Sequence, residues 1–360
     1  MSETGRDNYE RARDLVMKYG WNTTCFQIVN PGIDYWFGPD NNSVVGYVSS
    51  GHVRVVAGAP VCLKSDLDQV ASQFESDAAA SGQRVCYFGA ESRLGDLYQS
   101  ATDHSSVLLG AQPVWFPNEW NTIVSQTASL RAQINRARNK GVTVSEWPIA
   151  RAHNDQQLRN CLSSWIGTKG LPPLHFVIEP ETLLRLENRR VFVADLDSMV
   201  VAFLVLSPIP QRSGWLTEQF PHMQGAPNGC VELMMDTAIR TLANEGCKYL
   251  TLGLSPLSKR AKIEPFDNPI WLRILLEWMR RHGQRFYNFE GLDHFKAKLK
   301  PCYWEPVFAI SNEPKFSRQM IWSIALAFTQ NRPFSVAGRG LTKALAHEFG
   351  IFRKWITGLT

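Results

Sequence analysis

Apolar positions recur at helical spacing over residues 9–19, predicting a short helix. The chain then switches to a period of two. Segments 43–49 and 52–57, separated by Ser50 and Gly51, alternate β-branched and aromatic residues with turn formers and predict a hairpin. Helical periodicity returns over 64–80, where Leu67, Val70, Ala71 and Phe74 form one stripe, Ser65 is placed to cap it and Gly82 to stop it. A strand follows over 84–90. A similar succession appears later: a basic helix at 129–140, a strand at 142–147, a helix at 154–165, and strands at 191–195, 199–206 and 215–219. A helix at 229–245 and a strand at 249–252 close it. Strands followed by a helix and a crossing strand, present twice, predict an α+β fold of two lobes. The expected divisions are an N-terminal lobe at 1–125, a basic connecting helix at 126–140, a C-terminal lobe at 141–312 and a helical extension at 313–360. The extension carries helical patterns at 316–329 and 341–356.

Composition narrows the class. A chain of 360 residues, 44% apolar and 20% charged, is long enough for about two domains with real cores. Its longest strongly apolar stretch, 320–328, is far short of the roughly 20 residues needed to cross a bilayer. The first twenty residues mix charges throughout, without the apolar core of a secretory signal. A cytosolic location is expected. Seven scattered cysteines with no C-x-x-C pair read as small buried hydrophobes in a reducing compartment. The histidines show no metal-ligand spacing, and no cofactor is expected.

The net charge of +5 hides an asymmetry. Residues 1–250 carry 21 Lys+Arg and 25 Asp+Glu, a balance of −4, whereas 251–360 carry 17 and 8, a balance of +9. A basic field of this kind suits a phosphate-bearing partner, nucleic acid or anionic lipid, and on charge alone a solvated face with surplus arginine is an equal alternative. Arg131, Arg136, Arg138 and Lys140 add a second basic cluster on one helical stretch without an acid.

Four stretches combine turn residues with polar groups in ways a plain core does not need: 130–141, 215–236, 249–260 and 287–308. The third reads YLTLGLSPLSKR and the last YNFEGLDHFKAKLKPCYWEPVF. In that order they resemble the soluble catalytic portion of the aminoacyl-phosphatidylglycerol synthases, the lysyl-phosphatidylglycerol synthase or multiple peptide resistance factor family, over roughly residues 20 to 312. The resemblance implies two tandem acetyltransferase-like (GNAT) lobes and transfer of an aminoacyl group from aminoacyl-tRNA to a hydroxyl of a membrane lipid, phosphatidylglycerol or another lipid alcohol. It also implies a separate aminoacyl-tRNA synthetase as the source of the donor. Two departures stand out. Family members usually carry a multi-span membrane domain that is not seen in this sequence. Where an Asp-x-x-Arg segment is expected, the chain reads Glu218, Gln219, Phe220, Pro221.

An aminoacyl ester is already activated, so a transferase needs to orient the alcohol, accept its proton and steady the oxyanion. Glu218, near a strand end, and Glu232, in the first turn of a helix, are the expected catalytic carboxylates, brought to one cleft to hold the α-ammonium or act as base. The simpler reading of Glu232 is an acid complementing a helix dipole. The resemblance adds Lys298 as a site residue. Lys259, Arg260, Lys262, Lys296 and Lys298 are read as five exposed cations that could surround the terminal phosphates of tRNA, with a plain solvated face as the rival reading, and Arg131 and Arg136 join them as candidate substrate contacts. Ser255 and Ser258 lie in a loop leaving a strand, where they could donate to the ester oxygen or merely cap a turn. Asn288, Trp304 and Glu305 belong to the last motif, with Asn288 a candidate contact to adenosine and the aromatics candidates to stack on adenine.

Two other readings compete. A coenzyme-A-dependent acyltransferase on the same lobes should show Q/R-x-x-G-x-G/A at a helix start, and the run from Arg138 to Thr143 does not complete it. A non-catalytic tRNA- or membrane-binding module would not need Glu218, Glu232 and Lys298 together. For a lipid acceptor the expectation is peripheral contact with the inner face of the membrane, with the amphipathic pattern at 341–356 as its candidate device.

Overall fold

The computed structural model describes residues 3–168, 174–261, 268–272 and 289–329. Helix α1 (Glu3–Tyr19) turns Ala12, Leu15, Val16 and Tyr19 inward at three- and four-residue spacing. A fully buried 3-10 turn, Cys25–Val29, leads into strands β1 (Asp34–Phe37), β2 (Val44–Ser50) and β3 (Val53–Ala57). The β2–β3 hairpin turns at Gly51 (φ 60°), as the spacing predicts. Helix α2 (Leu67–Ala80) buries its predicted stripe, Leu67, Val70, Ala71 and Phe74. Its cap differs from expectation: Asp66 occupies the N-cap without a side-chain bond, and the Ser65 hydroxyl donates to the Asp66 carboxylate at 2.7 Å instead. Strand β4 (Arg84–Ala90) returns parallel to β3, and α3 (Ser92–Tyr98) and β5 (Ser105–Trp115) follow.

Two helices, α4 (Trp120–Gln126) and α5 (Ala128–Asn139), lead into the second half. There β6 (Thr143–Trp147), α6 (Ile149–Asn154) and α7 (Gln156–Gly167) precede the antiparallel strands β7 (Arg190–Leu196), β8 (Met199–Ile209) and β9 (Gly214–Gln219). Asp155 caps α7 by accepting from the Leu158 amide at 3.0 Å. Helix α8 (Cys230–Asn244) then connects β9 to the parallel strand β10 (Tyr249–Thr251). Short β11 (Ser255–Pro256), helix α9 (Phe289–Lys298), strand β12 (Tyr303–Ser311) and helix α10 (Arg318–Phe328) complete the described chain. The helical pattern at 341–356 lies outside the described residues.

The twelve strands of the described residues form one sheet in the order β1-β2-β3-β4-β12-β5-β10-β9-β8-β7-β6, with β11 also on β5. Each half has antiparallel strands ending in a parallel pair joined by a helix: β3 and β4 through α2, β9 and β10 through α8. Helices and strands are thus combined in two similar halves, as the α+β reading of the sequence expects. The halves interlock. Strand β12, from the end of the chain, lies between β4 and β5, and β5 in turn pairs with β10. Neither β5 nor β12 is foreseen from the sequence, because Pro113 and Pro306 interrupt their patterns and a proline argues against a central strand. The core beneath α1 and the 3-10 turn also draws Ile209, Leu216 and Tyr249 from the second half.

A buried ionic cluster sits where the halves meet. Arg212, just before β9, donates to both oxygens of Glu305 on β12 at 3.0 and 2.9 Å, and to Glu91, which follows β4. Tyr249 and Gln112 donate to Glu305 at 2.7 and 2.8 Å, and the Thr23 amide to Glu91 at 2.6 Å. Burial pushes the Glu305 carboxyl up, but the Arg212 charge and these hydrogen bonds outweigh it and hold the group below its ordinary range. The cysteines follow expectation in part: Cys25, Cys62, Cys86, Cys161 and Cys230 are buried, whereas Cys302 is exposed.

Removing the cation would strand buried Glu91 and half-buried Glu305. Arg212→Met is expected to lower the unfolding free energy by about 3–5 kcal/mol, read from urea denaturation. A loss below about 1 kcal/mol would show that the cluster does not tie the halves together.

Candidate active site

The second parallel pair comes apart. Strands β9 and β10 are in register for three residues, Tyr249 with Gly214, Leu250 with Trp215 and Thr251 with Leu216. Beyond Leu216, β9 stays with β8: Gln219 pairs with Val205, the Phe203 amide donates to the Pro221 carbonyl at 3.0 Å, and the Met223 amide to Val201 at 2.9 Å. The chain after β10 instead continues along β5 through β11. The register of β8 against β9 shifts here, with Leu206 opposite Thr217 and Val205 opposite Gln219, so Glu218 is the extra residue of a bulge. Bulges of this kind re-aim side chains beside functional sites. Thr217 on one strand and Ser255 beyond the other have buried hydroxyls without a hydrogen-bond partner among the described residues.

One face of the split is built by α8 and α9. Gly229 precedes α8 at φ 91°, and a Cβ there would lie 2.0 Å from the Gln133 carbonyl oxygen, so only glycine lets α5 pack this close. Glu232 follows in the first turn of α8, 7% exposed, and accepts from Lys298 Nζ at 2.7 Å. Helix α9 bridges the split at four points. Besides Lys298 on Glu232, Phe295 packs on Phe220 with ring centroids 5.3 Å apart, and Asp293 accepts from Arg260 Nε at 2.8 Å. The fourth point is Lys296, whose ammonium donates to the Gly253 and Leu254 carbonyls at 2.8 and 2.9 Å. Arg260 also lies over the Trp304 ring, 5.4 Å from its centroid. The turn after α9 is fixed to β5 by the Trp115 indole, which donates to the Leu299 carbonyl at 2.9 Å.

The other face holds Glu218. Leu216 joins the core containing the 3-10 turn and Trp215 packs on the core beneath α8, so the two faces are distinct. Glu218 Oε1 accepts from Gln27 Nε2 and from Arg189 Nε, both at 2.9 Å. Arg189 is itself buried, reaching Asn30 at 3.2 Å and the Arg185 carbonyl at 2.6 Å. Glu218 and Glu232 thus stand on opposite faces of the split, each with its own cation.

Other expected site residues lie as follows. Ser258 is buried in a turn, accepting weakly from the Arg260 amide at 3.4 Å, and Lys259 is exposed. Lys296 departs from the solvated cation expected of it, being 2% exposed, and burial lowers its pKa to about 7. Arg131 is committed to the carbonyls of Val124 and Ser125 at the end of α4, while Arg136 is exposed on α5. Glu305 belongs to the cluster around Arg212, not to the split. Lys262 and Asn288 lie outside the described residues. Sequence reasoning missed Arg189, Gln27 and Asp293, for which no local spacing gives a signal because each partner comes from another element.

A family model described as phosphatidylglycerol lysyltransferase, C-terminal, matches residues 13–311. Among solved structures, the chain is similar to the C-terminal domain of a protein described as a lysylphosphatidylglycerol synthetase from Agrobacterium fabrum, with 21% identity and a TM-score of 0.75, covering 91% of this chain and 98% of that one. It is similar to L-PGS from Bacillus licheniformis at 19% identity and TM-score 0.72, over 88% and 95% of the two chains. FemX shares the fold more distantly, at 8% identity and TM-score 0.52, over 88% and 98%. No curated protein matches in a sequence comparison.

The buried lysine generates a pH signature. Between about 7, its folded value, and its ordinary 10.5, the unfolded chain binds the Lys296 proton more fully than the folded one. Its contribution therefore makes stability rise with pH across that window, with the full penalty present below it. Lys296→Met is expected to reduce this slope, measured by urea unfolding between pH 7 and 10, whatever its effect on overall stability. An unchanged slope would place the titration elsewhere.

Proposed function

The chain belongs to the phosphatidylglycerol lysyltransferase C-terminal family, a family of transferases, and on that premise we propose that it moves an aminoacyl group from aminoacyl-tRNA to a hydroxyl of a membrane lipid at the split between β9 and β10. The observation that carries this reading is the Glu232–Lys298 ion pair, at 2.7 Å, held beside that split. The carboxyl ends of parallel strands are a common place for ligands in such sheets. The donor ester enters with its carbonyl between the strands, where the unpartnered Thr217 and Ser255 hydroxyls can donate to the developing oxyanion.

The bond changes balance without a cofactor. The lipid hydroxyl oxygen attacks the ester carbon, Glu232 accepts its proton, and the tetrahedral intermediate collapses with departure of the ribose oxygen. That oxygen takes up the proton, so one ester forms as another breaks. Lys298 orients the Glu232 carboxylate through their hydrogen bond and brings positive charge near the oxyanion. On the other face, Gln27 and Arg189 both engage Glu218 Oε1, leaving its second oxygen as the acceptor for the substrate α-ammonium. On this reading Arg260 and Lys259 meet the phosphates of tRNA and Trp304 its terminal base. Against the coenzyme A reading, the close approach of the Gln133 carbonyl at Gly229 crowds the helix start where a pyrophosphate would sit. No helix among the described residues is long and apolar enough to cross a membrane, and the proposed setting is the cytosolic face, with a separate synthetase charging the donor.

The test combines purified protein, labelled aminoacyl-tRNAs and phosphatidylglycerol. RNase-sensitive labelled lipid is expected, and Glu232→Gln or Lys298→Met should lower the rate by roughly 10²–10⁴-fold, the range for losing a general base. Absence of labelled lipid with every amino acid defeats the reading, and full activity in both variants defeats the site.

A further inference from the structure

The first half carries a cluster of titratable side chains that the transfer chemistry does not use. It lies between α2, β4, α3 and the start of β5. Glu75 on α2 accepts from the phenols of Tyr87 on β4 and Tyr98 at the end of α3, both at 2.9 Å. His104, one residue before β5, brings its Nε2 within 3.1 and 3.2 Å of the two oxygens of the same carboxylate. Its other ring nitrogen, Nδ1, lies 2.9 Å from the Asp103 carboxylate. The Tyr98 ring also lies flat against the imidazole, with centroids 3.8 Å apart and planes inclined by 11°. The side chains of His104 and Glu75 are 8% and 14% exposed, whereas Asp103 stands in solvent.

One protonation state satisfies this arrangement. A neutral imidazole has a single N–H and would turn a lone pair toward one of the two carboxylates, whereas the imidazolium donates to both. A cation is also attracted to the face of the Tyr98 ring. Glu75 is not free to turn away, because both phenols hold its Oε1, and burial together with the Glu75 charge pushes those phenols up so that they stay donors. Asp68, on the same helix, adds negative charge beside Tyr98. The titratable groups packed around the ring from α2, β4, α3 and its own loop are thus Glu75, Tyr87, Tyr98 and Asp103, and none of them repels a proton on it. Burial pulls the His104 pKa down, but the hydrogen bonds and charges of Glu75 and Asp103 outweigh it and raise the group above its ordinary 6.5. Reciprocally, the hydrogen bond from His104 holds the Asp103 carboxyl below its ordinary value.

We propose that Glu75, His104 and Asp103 form a proton-operated clasp: the imidazolium fastens the α3–β5 connection to α2, and its deprotonation lets that connection open. Position in the chain gives the clasp its leverage. Residues 99–104 have no helix or strand of their own, and they lead into β5, the strand that carries β12, β10 and β11. Because the folded pKa of His104 lies above the unfolded one, the stabilisation is complete below pH 6.5 and is lost as pH rises through the folded value. Lys296 acts in the opposite sense at higher pH, and every protein compared below retains it. The clasp uses none of the transfer residues and stands whether or not the transfer reading does.

The test follows the full chain in three ways: NMR of isotopically labelled histidines, with His104→Gln identifying the resonance, urea unfolding, and amide exchange of α3. His104 should titrate above 6.5. Between about pH 5.5 and 8.5 the folded-to-unfolded ratio of wild type should fall on the order of 3- to 10-fold relative to that of His104→Gln, since each unit of pKa shift is a tenfold change in that ratio. The protection of α3 amides, corrected for intrinsic exchange, should fall over the same range in wild type alone. Asp103→Asn changes an exposed side chain, keeps the fold, and should lower the His104 titration, because burial then has one carboxylate fewer against it. It therefore provides the comparison even where His104→Gln fails to fold. A His104 titration at or below 6.5, or one that Asp103→Asn leaves in place, overturns the proposal, as does an equal pH dependence of wild type and His104→Gln. A stability difference with unchanged α3 protection overturns it too, since the cluster would then be a static support that opens only when the whole chain unfolds.

Discussion

The fold depends on a guanidinium held between a buried carboxylate and a half-buried one. Glu91 follows β4, Arg212 precedes β9 and Glu305 lies on β12, so one cation ties the two halves to the strand that interlocks them. Burying three charges is costly, and the cost is offset only because hydrogen bonds reach the carboxylates from Thr23, Gln112 and Tyr249. With β12 fixed in this way, the helix only a few residues before it has little freedom. Helix α9 therefore lies across the split between β9 and β10, and the family's closing motif acquires a physical meaning: its end builds the frame and its beginning bridges the site.

The split itself follows from competition for strand edges. Strand β10 has three residues in register with β9, and the chain that follows is drawn to β5 by β11, while β9 is held to β8 past its bulge. Backbone near this divergence needs other partners, and Lys296 supplies two hydrogen bonds to the Gly253 and Leu254 carbonyls from a position where its charge is poorly solvated. The result is an opening with a carboxylate–cation pair on each face. An ester that needs only orientation, one proton acceptor and oxyanion donors is well matched to such an arrangement.

Much of this was legible from the chain. The stripe of Leu67, Val70, Ala71 and Phe74 gives α2 and the alternation around Gly51 gives the hairpin, because both depend on neighbours in sequence. The motif residues Glu232, Lys298, Arg260 and Trp304 do converge around α9. What was not legible depends on distant partners or on broken patterns. Prolines hid β5 and β12, the two strands that join the halves. The pairing of Glu218 with Arg189 and the commitment of Glu305 to Arg212 are set by the fold, and Lys296, indistinguishable in sequence from a surface lysine, is buried only because α9 lies over the split.

The central claim is that acyl transfer takes place between β9 and β10. A crystal structure with a non-hydrolysable aminoacyl-adenosine analogue tests it most directly. The account predicts the analogue's carbonyl between the two strands, with Glu232 and Lys298 on one side and its α-ammonium toward Glu218 on the other. An analogue bound elsewhere, with the split closed, would contradict it.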